Sequence, residues 1–512
     1  MDTANNMMIS QQPLAPSATE KNHGLDDDKI AQINDSYDQA PGTITDFEKQ
    51  KIAEGEAHFH RLGWKRLTVI LMVEAIGLGL FSLPGAFATL GVVAGTFCCV
   101  TLGLIAIYTG YIIGKVKVVF PQIGHYGDIG GLLMGRFGEE LFGGMYVLQL
   151  ILMTSSYVLT GTIALNVLSD KGTCGVVFGI VTAILLFVLA IPPSFTEAAI
   201  LGYIDIVSVM SAILIAVIAS GVQSSNAPGG LAAVNWSAWP AEGCTFKDAM
   251  VAICNMIFAY SFSMFMTPFQ SEMHTPSDYM KSVWVLGIVE MVIYTVTGVL
   301  IYTFIGADVQ SPALLSLDGV MPKVAFGVAL PVIFVSGAIG NTVTARYVHI
   351  RLYKNSIIRF INTPKGWITW IAVLAAITAL SWVLGEAIPF FSDLLSLISA
   401  LFVSGFILYF PPIMWYKLLL KGKWYDRENI LHAICCVLAF LFGLLVLVGG
   451  TYATIKDIVS VSKPDFTLFD FKTDPWDSNT ITRLVLSGLR SLAPSEPRDA
   501  FESPSSAGSG AV

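Results

Sequence analysis

The chain has 512 residues, 54% of them hydrophobic and only 13% charged, with a net charge of −8. A soluble domain carries about 25% charge, so this composition excludes one; apolar blocks of about 20 residues, each long enough to cross a ~30 Å hydrocarbon core, mark an all-α polytopic membrane protein. The acids gather in the tails (Asp26, Asp27, Asp28, then Asp465, Asp470, Asp474, Asp477), and no basic stripe offers itself to nucleic acid.

In chain order, residues 1–60 are polar, rich in Asn, Gln, Asp and Ala, and read as a disordered cytoplasmic tail without a cleavable signal. Eleven spans follow, at 67–90, 92–114, 141–168, 175–192, 199–220, 246–270, 282–306, 324–347, 367–385, 389–415 and 431–455. Lys and Arg collect in alternate connections: Arg61, Lys65 and Arg66; Lys115, Lys117 and Arg136; Arg346, Arg351, Lys354, Arg359 and Lys365; Lys417, Lys421, Lys423 and Arg427. The positive-inside rule then sets the N-terminus in the cytoplasm and, after eleven spans, the C-terminal tail 456–512 outside. The loop 221–245 falls on the outer side and carries the sequon Asn235-Trp236-Ser237, a candidate glycosylation site.

Span one contains EAIGLGLFSLPG at 74–85, a carboxylate, three glycines and a proline inside an apolar run. In a helix interior Gly costs about 1 kcal/mol and Pro about 3 kcal/mol relative to Ala, and a mid-bilayer charge costs ~2.5–3.5 kcal/mol more on insertion scales. Span six repeats the disturbance in ICNMIFAYSFSMFMTPFQSEM, 253–273, through Asn255, Ser261, Ser263 and Pro268. Five helices separate the two, so a second unit would start from the opposite face. The expectation is a 5+5 inverted repeat, residues 61–220 and 246–455, with broken helices 1 and 6 and one extra helix. Paired broken helices point to a transporter's substrate site. Half-helix N-termini suit a carboxylate and C-terminal carbonyls suit an ammonium, together an amino acid. Gly77 and Gly79 would let a ligand approach the backbone. Phe258, Tyr260, Phe262 and Phe265 would line an apolar or aromatic side-chain pocket, and Tyr157 of span three could close over it. Packing glycines between helices are the competing explanation.

EAIGLGLFSLPGAFATLG, 74–91, and MIFAYSFSMFMTPFQSEMHTPSDYMKSVW, 256–284, resemble the first helix and the sixth helix with its following loop in the amino acid/auxin permeases. From about 60 to 455 the chain resembles their fungal neutral and aromatic, methyltryptophan-resistance branch. The resemblance implies cation-driven import across the plasma membrane, and substrate contacts at Ile76, Gly77, Leu78, Gly79, Ala259, Tyr260 and Ser261. It favours proton over sodium coupling.

Three acids fall inside spans, Glu74, Asp205 and Glu290, and intramembrane acids default to a functional role. Glu74 and Asp205 are the proton-coupling candidates. For sodium, span eight supplies Ser336, Asn341, Thr342 and Thr344 and span three Thr154, Ser155 and Ser156; Ser336 and Thr342 are the candidate cation ligands. Cys174 and Cys244 both sit in outer connections, where the redox compartment permits a disulfide. No Cys/His spacing suggests a metal, and no nucleotide-binding loop or catalytic constellation appears, so no cofactor, nucleic acid or enzyme activity is expected. The expected partners are a neutral amino acid, a proton or sodium, and the bilayer, with the chain acting as a monomer. A sensor that keeps the fold but signals through its tails is the alternative class.

Overall fold

The computed structural model describes residues 63–461, except residues 171, 194, 242, 354–360, 362 and 389. All regular elements among them are helical: α1 (Trp64–Ala75), α2 (Leu78–Leu90), α3 (Val92–Val119), α4 (Tyr126–Leu168), α5 (Gly175–Leu189), α6 (Phe195–Asn226), α7 (Phe246–Ala259), α8 (Met266–Ser271), α9 (Tyr279–Ile305), α10 (Met321–Leu352), α11 (Pro364–Ala387), α12 (Phe391–Leu419) and α13 (Ile430–Val459). Among the described residues, eight helices are long and apolar enough to cross a membrane: α3, α4, α6 and α9 to α13. The pair α1 and α2 bends by 52°, and α7 with the turns that follow it bends by 42°. Apolar α5 is shorter, at 15 residues. The expected tails lie outside the described residues, except that 456–461 continue the last helix instead of beginning a tail.

The third expected span starts earlier than its apolar block. Helix α4 begins at Tyr126, where the Asp128 carboxylate accepts the backbone N–H groups of Gly124 and His125 at 2.8 and 2.9 Å and caps the first turn. Gly135, at φ 67°, then kinks the helix, and Gly130 and Gly138 pack backbone to backbone across the kink. The apolar run alone reads only the limb beyond that kink.

The basic connections meet at one end of the bundle. Trp64 O accepts the Ser282 hydroxyl at 2.9 Å, Tyr111 O accepts the Tyr279 hydroxyl at 3.0 Å, and Lys417 reaches Leu133 O at 3.3 Å. Arg346 pairs with Glu272, and Arg351 with Glu140, each at 2.8 Å. At the opposite end, Lys247 and Lys323 are paired with Asp457 and Asp170 at 2.7 and 2.6 Å. Successive membrane-length helices therefore alternate in direction, and α1 and α7 run in opposite senses.

The 221–245 loop does structural work at that opposite end. Backbone N–H groups at the start of α3, Val92 and Val93, donate to Ser237 O and Ala238 O at 3.1 and 2.9 Å, which satisfies donors a helix start leaves open. The Tyr302 hydroxyl accepts the Ser237 N–H at 2.9 Å, and Asn235 O accepts the Ala307 N–H at 3.1 Å, while the Asn235 side chain is exposed. Gly91 makes this docking possible. Its φ is 79°, and a Cβ there would sit 2.5 Å from the Trp239 carbonyl.

The expected disulfide is absent: Cys174 and Cys244 are both free thiols. They precede α5 and α7, which pack in different neighbourhoods: α5 against α4, α10 and α11, and α7 against α2, α12 and α13. Compartment and loop side bring two cysteines to one face, but a bridge also needs Cα atoms within ~7 Å.

Gly91→Ala is expected to lower stability by roughly 2 kcal/mol or more, since a left-handed residue with a Cβ adds strain to a backbone clash. The readouts are thermal unfolding in detergent and proteolysis of 227–245. Unchanged unfolding together with unchanged cleavage would show that the loop does not depend on this glycine.

Candidate functional site

Both helix breaks lie deep in the bundle and touch each other. Helix α1 stops at Ala75, Ile76 makes a last turn to Met72 O, and Gly77 leaves helical geometry at ψ −121° before α2 begins. Helix α7 stops at Ala259, Tyr260 turns out, and Ser261–Phe265 continue as a 3-10 turn into α8. Ile76, Leu78, Phe258, Ala259, Tyr260, Ser261 and Phe262 are all buried. A Cβ at Gly79 would stand 2.6 Å from Ala259 Cα, so this glycine seats one break directly against the other. A Cβ at Gly77 would stand 2.7 Å from the Tyr157 hydroxyl. Tyr157 of α4 thus faces the break in span one.

The carbonyls at these two helix ends converge. The Tyr294 hydroxyl on α9 lies 2.7 Å from Ala75 O and 3.0 Å from Ala259 O. A helix leaves its last carbonyls without intrahelical partners, and here one side chain from a third helix serves both ends. Sequence reasoning missed Tyr294. Its only sequence signal is Glu290 one turn earlier, a buried carboxyl whose charge reaches Tyr294 and neither of whose oxygens has a hydrogen-bond partner.

The two remaining acids sit on the other side of α1. Both Glu74 oxygens are buried without a hydrogen-bond partner, and Glu74 is near enough to Asp205 for their like charges to repel. The Asp205 carboxylate on α6 accepts the Ser336 hydroxyl of α10 at 3.0 Å, and that hydroxyl also lies 3.1 Å from Val73 O. The structure therefore joins two sequence candidates, Asp205 and Ser336, to the last turn of α1.

Other candidates are not brought together. Thr342 lies 3.2 Å from Ala190 O and 2.9 Å from Ala338 O, away from Ser336. Thr154, Ser155, Ser156 and Thr344 bond back to their own helices, and Asn341 donates to Thr378 at 2.7 Å. The aromatic residues of span six do not line one space with the glycines. The Tyr260 hydroxyl meets Cys99 Sγ of α3 at 3.2 Å, and Phe262 packs against Gly110, also of α3. A cleft of about 1250 Å³ opens at the opposite end, between α6 and residues 304–324, and includes none of these positions.

Gly79→Ala is expected to force the breaks apart and cost roughly 1–3 kcal/mol of stability by overpacking. The double change Gly79→Ala with Ala259→Gly should recover most of it, because it moves the missing methyl to the other partner. A double-mutant cycle on thermal unfolding checks this; additive losses would mean that the two positions do not face each other.

A model of the family described as transmembrane amino acid transporter protein matches residues 60–456. The chain is 53% identical over 432 residues to the N amino acid transport system protein of Neurospora crassa, which covers 83% of this chain and 92% of that one. It is 29% identical over 402 residues to a transmembrane transporter of Fusarium pseudograminearum, over 78% of this chain and 84% of that one. Among solved structures, a nucleobase-cation-symport-1 family transporter with bromovinylhydantoin bound aligns at 14% identity and a TM-score of 0.47, over 78% of this chain and 91% of that one. With the family model spanning nearly all the described residues, the chain belongs to the transmembrane amino acid transporter family.

Proposed function

We propose that the protein is a secondary active transporter that imports neutral amino acids, aliphatic and aromatic, across the plasma membrane as a proton symporter. In this reading it belongs to the neutral and aromatic branch of the family, with eleven spans, a 5+5 inverted repeat and a cytoplasmic N-terminus. The observation that carries it is the convergence of the Ala75 and Ala259 carbonyls, ends of two oppositely directed broken helices, on one buried point. Irregular backbone at membrane depth is tolerated where it lines a cavity or is buried in protein, and paired half-helix ends are the usual makings of a midplane site. Two carbonyl dipoles favour an ammonium. The stretch Ile253–Gln270 contains no Asp, Glu, Lys or Arg to neutralise a charged side chain, which favours neutral substrates.

Coupling follows from the hydrogen-bond count at Ser336. A hydroxyl has one proton to give. When Asp205 is ionised, Ser336 donates to it and Val73 O is left without that donor. When Asp205 is protonated, it can donate to Ser336, which then donates to Val73 O and ties α6 and α10 to α1. Proton binding is in this way linked to the position of the half-helix that ends at the substrate site. Glu74, one residue beyond Val73, is the second proton-binding group. Sodium would need several oxygens to converge, and Thr342 turns away from Ser336.

The test is uptake of radiolabelled leucine into proteoliposomes under an imposed pH gradient, with sodium absent and present. Accumulation driven by the proton gradient alone is expected. Accumulation only with a sodium gradient, or binding without accumulation, would contradict the reading. Asp205→Asn, which keeps a permanent donor toward Ser336, and Glu74→Gln are each expected to abolish pH-driven accumulation while substrate exchange continues. Unaltered accumulation by both variants across external pH about 5 to 7, on either side of an ordinary carboxyl range, would remove these acids from coupling.

A further inference from the structure

We propose that the Tyr294 hydroxyl is a tethered stand-in for the substrate's ammonium, occupying the two carbonyls in the empty transporter and yielding them when an amino acid binds; this rests on the transport reading above. Tyr294 is fully buried, and its oxygen lies within hydrogen-bond distance of both Ala75 O and Ala259 O. These carbonyls belong to different helices and to the two halves of the chain, so their meeting at one oxygen is a tertiary arrangement and not a consequence of local helix geometry.

The stand-in is an incomplete match, and that is what makes it displaceable. A phenol has one proton, so two acceptors share it. An ammonium has three protons and a positive charge, and charge-assisted hydrogen bonds are about twice as strong as neutral ones. The surroundings favour that charge: Glu74 precedes Ala75 directly, Glu290 lies one turn from Tyr294, and neither carboxyl has a hydrogen-bond partner. Glu290, four residues before Tyr294 on the same helical face, offers the freed hydroxyl an acceptor. Without the hydroxyl, an empty site would bury two unpartnered carbonyls between helices that must slide past each other. With it, the empty protein remains closed and competes with its own substrate.

That competition has a defined sign. Tyr294→Phe keeps the ring and its packing against Tyr260, at 5.1 Å between centroids, and removes only the hydroxyl. The empty variant bears the penalty of unpartnered buried carbonyls, which the substrate relieves on binding. Leucine should therefore bind about tenfold more tightly to the variant than to the wild type. Release should slow, so KM and kcat fall together. Inhibition by 3-phenylpropionate, which has the carboxylate but no amine, should not change.

The experiment uses the full-length protein in proteoliposomes and detergent, measuring leucine Kd, uptake KM and kcat, and 3-phenylpropionate inhibition for wild type and Tyr294→Phe. Tighter leucine binding with unchanged 3-phenylpropionate inhibition supports the proposal. Unchanged or weaker leucine binding by the variant, where the wild type binds, overturns it and leaves the transport reading standing. No leucine binding by the wild type overturns both. A chain carrying 3-fluorotyrosine at position 294 gives a second readout that does not depend on the variant folding. Its fluorine resonance should move with leucine and stay fixed with 3-phenylpropionate; no movement with leucine would also overturn the proposal.

Discussion

Backbone groups cannot be left bare at membrane depth. Each unsatisfied carbonyl in a dry interior costs several kcal/mol on transfer scales, yet this chain interrupts two spans at their centres. The rest of the arrangement can be read as the response. The breaks are placed against each other, Gly79 on Ala259, so that neither faces lipid. A third helix sends Tyr294 to the carbonyls that end α1 and α7. A fourth and fifth approach through Asp205 and Ser336 to Val73 O. Polar contacts that would be marginal on a protein surface here determine which helices can separate and which cannot.

The same constraint links structure to transport. A site made of backbone ends has its geometry fixed by where helices stop, so a rocking motion that moves α1 changes the site without moving any side chain. Contacts at the two ends of the bundle suit such motion. The basic end is held by pairs that include Arg346 with Glu272, and the other end by pairs that include Lys247 with Asp457. Alternating access requires one set to loosen while the other holds, and exposed or half-buried pairs contribute little enough each to be exchanged.

Much of this was legible in the sequence, and the limits are physical. The breaks at Gly77 and Tyr260 could be located because Gly, Pro, Ser and a carboxylate carry local penalties that mark them in an apolar run. The shared basic end could be read because charge cannot cross the bilayer freely. What the sequence did not disclose was partnership. Gly79 could have faced a ligand or a helix, and only the register of α2 against α7 decides for Ala259. Ser336 and Thr342 are six residues apart, about 240° around a helix, so a list of hydroxyls on one span overstates how many can meet. Tyr260 and Phe262 turn to α3 because a 3-10 turn follows Ala259. Cys174 and Cys244 share a side but start helices with different neighbours. The start of α4 was hidden by the polar limb before Gly135.

The most direct measurement of the central claim is an experimental structure of the full-length protein with leucine bound. The account predicts leucine at the junction of the two breaks, its ammonium within hydrogen-bond distance of Ala75 O and Ala259 O. Leucine seated instead in the cleft beside Gln223 and Asp318, with the two carbonyls still holding Tyr294, would contradict it.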